Sequence, residues 1–377
     1  MAEQVRDLAD RSGGTGQASR LKVIDCDVHP VVDGGIGSVY PYMPVAWRER
    51  FKRKRAEAPT SNLPLKYMHP NGGVIRADAR TPEGKLGGSD PRFVVTDLIE
   101  PNGIDAVLLN CTQTSALAAT LATTDESIVL CSAFNDFFAD KWLPVDQRLR
   151  YAMCVPSQDP LAAAEEIRRF GKHKQVAAIH LPVINMLLGN RYFWPIYAAA
   201  QEVGLPLMMH VSGTDSIFHG PPMSAGGIPD SYIERYITLT QAGESNVNSL
   251  VFSGTLEKFP GIKFLFVEYG FLWILPLMLR MDRTWRQLRH ETPWVKQSPI
   301  DTVRQRIRFT TQPIDEPNDP EDMTRLVRMI GPECLCFSTD YPHWDNDMPG
   351  QTLRMLSVAE RQAIFHDNAV GMLRLGS

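Results

Sequence analysis

No uninterrupted hydrophobic run reaches the roughly 18 to 20 residues that a membrane-spanning helix needs. The first twenty residues (MAEQVRDLADRSGGTGQASR) also lack the apolar core of a signal peptide. A cytoplasmic protein with no membrane partner is therefore expected. Strong charge of one sign is missing too: the formal charge is −4 over 377 residues, which gives no electrostatic footprint for nucleic acid. The one basic run, 48–55 (RERFKRKR), carries Glu49 and Phe51 within it and reads as a solvated helix face.

Cysteine is scarce, and its placement excludes a structural zinc motif. Cys26, Cys111, Cys154, Cys334 and Cys336 fall in strand-like apolar runs and Cys131 in a helical one, as reduced, buried thiols do. The Cys334-Leu335-Cys336 spacing has no second pair to complete a site. No glycine fingerprint follows the first strand candidate, which argues against a doubly wound dinucleotide-binding sheet.

What the chain does contain is a repeated alternation. Short β-branched apolar runs are separated by longer amphipathic segments, the mark of βα units around a parallel sheet. Eight strands are expected, at 23–28, 106–110, 151–155, 176–181, 206–210, 263–267, 307–311 and 334–338, and eight is the number of a (β/α)8 TIM barrel. The clearest helices are 124–142, with Asp125 and Glu126 in its first turn, and 159–172, with Asp159 as N-cap ahead of Pro160. A third, 192–203, ends at Gly204. Residues 1–20 read as a polar tail and 21–377 as one domain, with long insertions at 33–92 and 211–245 expected to rise as lids from the catalytic face.

Polar residues end nearly every expected strand, which packing does not require. Period-two alternation is expected to turn Asp25, Asp27 and His29 toward the barrel axis. His180 ends the fourth strand, His210 the fifth, Glu268 the sixth, Thr311 and Gln312 the seventh, and Asp340 the eighth with His343 close behind. In a barrel all of these converge on one mouth. Imidazoles and carboxylates gathered in a partly buried pocket are poorly solvated unless a cation compensates them, so a bound divalent ion is the economical explanation. Mixed nitrogen and oxygen donors suit zinc, manganese or iron better than magnesium or calcium.

Four stretches carry a likeness to a known family: IDCDVHP at 24–30, NRYFWPIYAAAQEVGLPLMMH at 190–210, LVFSGTLEKFPGIKFLFVEYGFLWILPLMLRMD at 250–282, and FSTDYPHWD at 337–345. With them the chain resembles, over residues 22–375, the amidohydrolase-related family that contains the aminocarboxymuconate semialdehyde and resorcylate decarboxylases. The resemblance implies that Asp27 and His29 stand at the first-strand ligand pair, His210 at the fifth-strand histidine ligand and Asp340 at the eighth-strand aspartate. It also places Glu268 where those decarboxylases carry an acid/base histidine, so the metal site transfers better than the decarboxylation chemistry.

Beyond these four, Glu268 and His180 are candidate ligands, and Asp340, Glu268 and His180 are candidate catalytic groups. His180 is open between a second metal site and a hydrogen bond near substrate. Asp25 is expected to orient a ligand, and His343 to hydrogen-bond Asp340 from the following loop. His219 reads as an exposed lid residue, Trp194 as helix-to-sheet packing and Trp344 as pocket lining; Asn368 and Ala369 read as structural.

A small organic substrate is expected, attacked by a metal-activated water with Asp340 or Glu268 taking the proton, or else decarboxylated. Zinc is the first expectation, with iron or manganese, one ion or two, as the alternative. Two such ions would suit an oxygen-activating hydroxylase of this fold, a class the 337–345 stretch also resembles. A third reading is a zinc-binding, non-catalytic partner of a related subunit, and either a homo-oligomer or such a hetero-oligomer is expected.

Overall fold

A computed structural model describes residues 20–54, 74–112, 118, 123–182, 184–211 and 229–375. Residues 1–19 of the expected 1–20 tail, part of each long insertion and His219 lie outside these residues.

All eight expected strands are present. They are β1 (Ile24–Val28), β2 (Ala106–Leu109), β3 (Leu149–Cys154), β4 (Val176–His180), β5 (Leu207–His210), β6 (Phe264–Val267), β7 (Ile307–Thr310) and β8 (Leu335–Cys336). Each pairs in parallel with the next in sequence order. The circle closes between β1 and the chain following β8: Cys26 N–H donates to Phe337 O at 2.9 Å, Asp340 N–H to Asp27 O at 3.1 Å, and His29 N–H to Tyr341 O at 2.8 Å. The protein is a (β/α)8 barrel.

β8 is shorter than the expected 334–338. Cys334 belongs to a 3-10 turn, Pro332–Cys334, and Phe337 N–H turns away to Ile364 O. The helices follow their end signals. Asp159 accepts from the N–H groups of Leu161 and Ala162 ahead of Pro160–Phe170, and Thr123 caps Thr124–Lys141. Gly204 ends Trp194–Val203 with φ 70°, a left-handed conformation that a glycine adopts without a Cβ clash. The basic run forms most of the helix Val45–Lys54, which buries Phe51 against the core.

Two cores divide the barrel. Outside the sheet, strand residues such as Val107, Leu109, Met209 and Phe309 pack on the helices. Inside it, Ile24, Cys26, Leu108, Met208, Leu265, Val267 and Cys336 form a smaller cluster that Met372 and Leu373 join. That C-terminal segment plugs the N-terminal ends of the strands: Arg374 N–H donates to Ala177 O at 3.1 Å, and its guanidinium reaches Val176 O at 2.8 Å. All six cysteines are buried and free. None of the described helices is long and apolar enough to cross a membrane.

Of the first insertion, residues 74–76 approach the chain after β8. Trp344 N–H donates to Val74 O at 2.8 Å and Arg76 N–H to Pro342 O at 3.0 Å. The second insertion contains the helix Tyr232–Thr238, opened by a Ser231/Glu234 capping box.

Candidate metal centre

At the C-terminal ends of the strands, six side chains meet in two overlapping groups: Asp27, His29, His210 and Glu268, then His29, Glu268, Asp340 and His343. Within each group the ligand atoms lie within 4.8 Å of one another. His210 Nε2 is 2.8 Å from Glu268 Oε2 and 3.4 Å from Asp27 Oδ2, while His29 Nε2 is 2.7 Å from Asp340 Oδ1 and 3.3 Å from Asp27 Oδ1. His343 Nδ1 is 2.7 Å from the same Asp340 oxygen, and its ring stacks on that of His29 at 4.1 Å. The site is graded in depth: Asp27, His210 and Asp340 are sealed, whereas Glu268 and His343 keep 12% and 15% of their side-chain surface.

Local backbone explains how these groups are aimed. Alternation alone predicted that Asp25 would share the face of Asp27 and His29, and the structure corrects this. Ile24 and Cys26 pack in the inner cluster, so regular alternation would send Asp27 outward. A register irregularity between Asp25 and Val28 turns Asp27 inward instead. Asp25 is left between β1 and the chain after β8, where it accepts from Thr339 N–H at 2.9 Å, from Thr339 Oγ1 at 2.5 Å and from Asp27 N–H at 3.1 Å. Burial outweighs these bonds and pushes its pKa up to about 7.

Glu268 and Asp340 are two of the three non-glycine residues with positive φ among the described residues, at 63° and 62°. That conformation is costly for a side chain with a Cβ and concentrates at functional sites. Glu268 is held in it by its N–H donating to Thr310 Oγ1 at 3.0 Å. His29 is fixed from two sides. Its Nδ1 contacts Asn110 O at 3.2 Å, which directs Nε2 into the site, and Gly88 packs so closely that a Cβ there would come within 2.4 Å of His29 O.

A divalent ion fits these residues. Asp27 Oδ2, His29 Nε2, Glu268 Oε2 and both Asp340 oxygens are buried with no aligned hydrogen-bond partner, despite their short mutual approaches. Groups that face one another at such distances without hydrogen bonding are arranged for a shared cation. No lysine or arginine pairs with these carboxylates among the described residues. Without a cation, protons take its place. Burial would lower the His29 and His210 pKa values, but the Asp27 carboxylate and its neighbours override it, holding His29 well above its usual value and His210 near 9. Burial would likewise raise the pKa of Asp27, and the two imidazoles hold it far below the carboxylate range.

The expected ligands Asp27, His29, His210, Glu268 and Asp340 are thus brought together. His180 is not: it belongs to neither group, because β4 leaves its ring 6.4 Å from that of His210. It is fully buried, both nitrogens lack partners, and burial drops its pKa to about 3, so it remains a neutral imidazole. His343 does contact Asp340, as expected, and also completes a ligand group that the sequence did not assign to it.

Sequence reasoning missed Asn110, whose Nδ2 donates to Asp27 Oδ1 at 3.2 Å, and Asp345, which accepts from Tyr236 OH and from Gln312 Nε2. Asn110 directly follows β2, and that position was its only signal. Trp344 lies 6.0 Å from the Tyr236 ring. Trp194, expected to pack helix against sheet, instead meets Phe259 edge-on, at the end of the helix Thr255–Lys258.

Together the fold and the site define a metal-dependent barrel enzyme. The amidohydrolase family model matches residues 24–375. The chain belongs to the amidohydrolase family. Among its relatives, a gamma-resorcylate decarboxylase of Rhodococcus jostii (strain RHA1) is 24% identical over 313 residues, covering 76% of this chain and 88% of that one. Two solved structures share the fold. An amidohydrolase from Mycobacterium avium subsp. paratuberculosis K-10 superposes with TM-score 0.68 at 18% identity, covering 96% of this chain and 99% of its own. A dihydroxybenzoic acid decarboxylase from Polaromonas sp. JS666, solved with bound manganese and 2-nitroresorcinol, has TM-score 0.61 at 16% identity, covering 93% and 96%.

Proposed function

We propose that this chain is a metal-dependent carbon–carbon lyase that removes carbon dioxide from a small organic carboxylate, with manganese or zinc as its ion. The observation that carries this reading is the set of buried oxygens of Asp27, Glu268 and Asp340 facing the His29 Nε2, with no aligned hydrogen-bond partner, at the mouth of an amidohydrolase barrel. The decarboxylase relatives and the manganese in the Polaromonas structure support the reaction class and the metal.

Asp27, His29, His210 and Asp340 would hold the ion, with Glu268 beside them. The ion would supply Lewis acidity and a fixed point for substrate oxygen atoms. Of the three carboxylates, Glu268 alone keeps exposed surface. In its acid form it would deliver a proton to the substrate carbon as the bond to the carboxylate breaks; the bonding electron pair takes that proton, and carbon dioxide departs. His180, neutral and without a partner, is poised to hydrogen-bond substrate without adding charge.

The test is to reload metal-depleted protein with Mn(II) or Zn(II), offer a panel of hydroxylated benzoates, and measure carbon dioxide release in deuterated water. Release should place deuterium at the vacated carbon, and Glu268→Gln should abolish both. Glu268 in place of a histidine also favours a second reading, hydrolysis with Glu268 as the base for an attacking water. Turnover of amide or lactone substrates with no carbon dioxide from any carboxylate would establish that reading and discard the first.

A further inference from the structure

Gln312, just past the end of β7, is fully buried, and all of its polar atoms but one are engaged. Its N–H donates to Ser338 Oγ at 3.2 Å, and its carbonyl accepts from Thr310 Oγ1 at 3.3 Å. The same Thr310 oxygen accepts from Glu268 N–H, so one hydroxyl holds both residues. In the side chain, Nε2 donates to Asp345 Oδ2 at 3.1 Å and to Asp345 O at 3.3 Å, whereas Oε1 has no hydrogen-bond partner among the described residues. A backbone carbonyl can only accept, so Asp345 O fixes which way the amide faces and leaves its oxygen as the open atom. A buried acceptor without a donor costs stability and calls for a reason.

We propose that Gln312 is a substrate-recognition residue, whose Oε1 takes a hydrogen bond from a hydroxyl or amino group that the substrate carries besides its carboxylate. The assignment rests on the reading of this mouth as the site of a small organic carboxylate, and deepens it by naming a second group that the substrate must bear.

The surroundings of this corner support it. Asp345 also accepts from Tyr236 OH, so a chain of hydrogen bonds runs from the helix Tyr232–Thr238 through Asp345 to Gln312 and sets the amide from the side of the second insertion. Burial raises the Tyr236 pKa and the charges of Asp345, Glu268 and Asp340 raise it further, which places this hydroxyl within reach of the carboxylates of the mouth. Tyr232 stacks on Tyr236 at 5.9 Å, and Trp344 lies 6.0 Å from the same ring. Such flat faces suit a planar substrate. Tyr236 and Asp345 are half-buried and Gln312 is sealed beneath them, so a donor that reaches Oε1 is shielded from water. A group of similar size without a hydrogen leaves two acceptors face to face, and a site built to hydrogen-bond one group rejects its non-donating analogue.

The test compares such analogues. Full-length Mn(II)-loaded protein is titrated by calorimetry with benzoates bearing a hydroxyl, an amino or a fluoro group at position 2, 3 or 4. At one ring position at least, the hydroxyl or the amino probe should bind about tenfold to a hundredfold more tightly than the fluoro probe, and the tighter of the two identifies the donor. In Gln312→Leu that ratio should collapse to within about threefold. Crystals of the wild-type protein with the preferred probe should hold its donor about 3 Å from Gln312 Oε1, which decides the matter if the variant fails to fold. A wild-type protein that shows no preference at any position or binds none of the probes, a ratio unchanged in Gln312→Leu, or a donor seated elsewhere overturns the assignment. Carbon dioxide release from a probe whose preference ignores Gln312 removes this assignment alone. A preference that depends on Gln312 with no carbon dioxide from any carboxylate removes the lyase reading alone.

Discussion

Glu268 and Asp340, at the ends of the strands on either side of β7, share one uncommon backbone conformation, with φ of 63° and 62°. Non-glycine residues there carry about 1 to 2 kcal/mol of strain, so the two acids are aimed at the same point at some cost to the fold. In metal-depleted protein, Glu268→Gly and Asp340→Gly should therefore melt above Glu268→Ala and Asp340→Ala, by a margin worth about 1 kcal/mol. At an ordinary position the order reverses. Thermal melts of the four variants decide it, and an alanine variant equal to or above its glycine counterpart would show that the strain is absent.

Metal uptake should release protons. In metal-depleted protein burial disfavours charge on His210, but Glu268 and Asp27 outweigh it and raise its pKa from 6.5 to about 9. Its contribution to the stability of the ion-free fold is complete below pH 6.5 and disappears as pH rises through 9. Ligation requires the neutral ring, so Mn(II) affinity strengthens over the same interval. The difference in melting temperature between loaded and stripped protein should widen from below pH 6.5 to above pH 9. A gap that stays constant or narrows would contradict this.

Asn110→Ala should weaken metal binding without unfolding the barrel. Its amide orients Asp27 from the β2 side, and loss of a residue that orients a ligand typically costs roughly tenfold to a hundredfold in metal affinity. The Asn110 carbonyl contact with His29 is unaffected, since it belongs to the backbone. Competition with a chelator of known affinity measures the change, and an unaltered affinity would leave Asn110 with a packing role only.

Thr339→Val tests the seam between β1 and the chain after β8. The valine cannot donate to Asp25 Oδ2, leaving a fully buried carboxyl oxygen unsatisfied. The expected loss is about 1 to 3 kcal/mol of stability, read by denaturant unfolding. Asp25→Asn in the same background should recover part of it, because the amide lowers the cost of burial.

Much of this was legible in the primary structure because it depends on local pattern. Apolar runs located all eight strands, and the residues closing them supplied five of the six converging side chains as ligands. What remained hidden depends on geometry over long distances. His180 ends a strand as correctly as His210 does, but it pairs in register with Met208, two residues before His210, and stays outside both groups. Asp25 was assigned to the wrong face because a one-residue irregularity leaves no compositional trace. Asn110 looked like an ordinary strand-ending polar residue until β1 was placed beside it.

That irregularity in β1 has a wider meaning. Below it the strand presents Ile24 and Cys26 to the barrel interior, and above it Asp27 and His29. The frame shift works as a clutch between two halves of one strand: the lower half can be repacked with larger or smaller apolar residues while the upper half keeps its phase. A barrel built this way can exchange its chemistry at the rim without renegotiating the interior that keeps it closed.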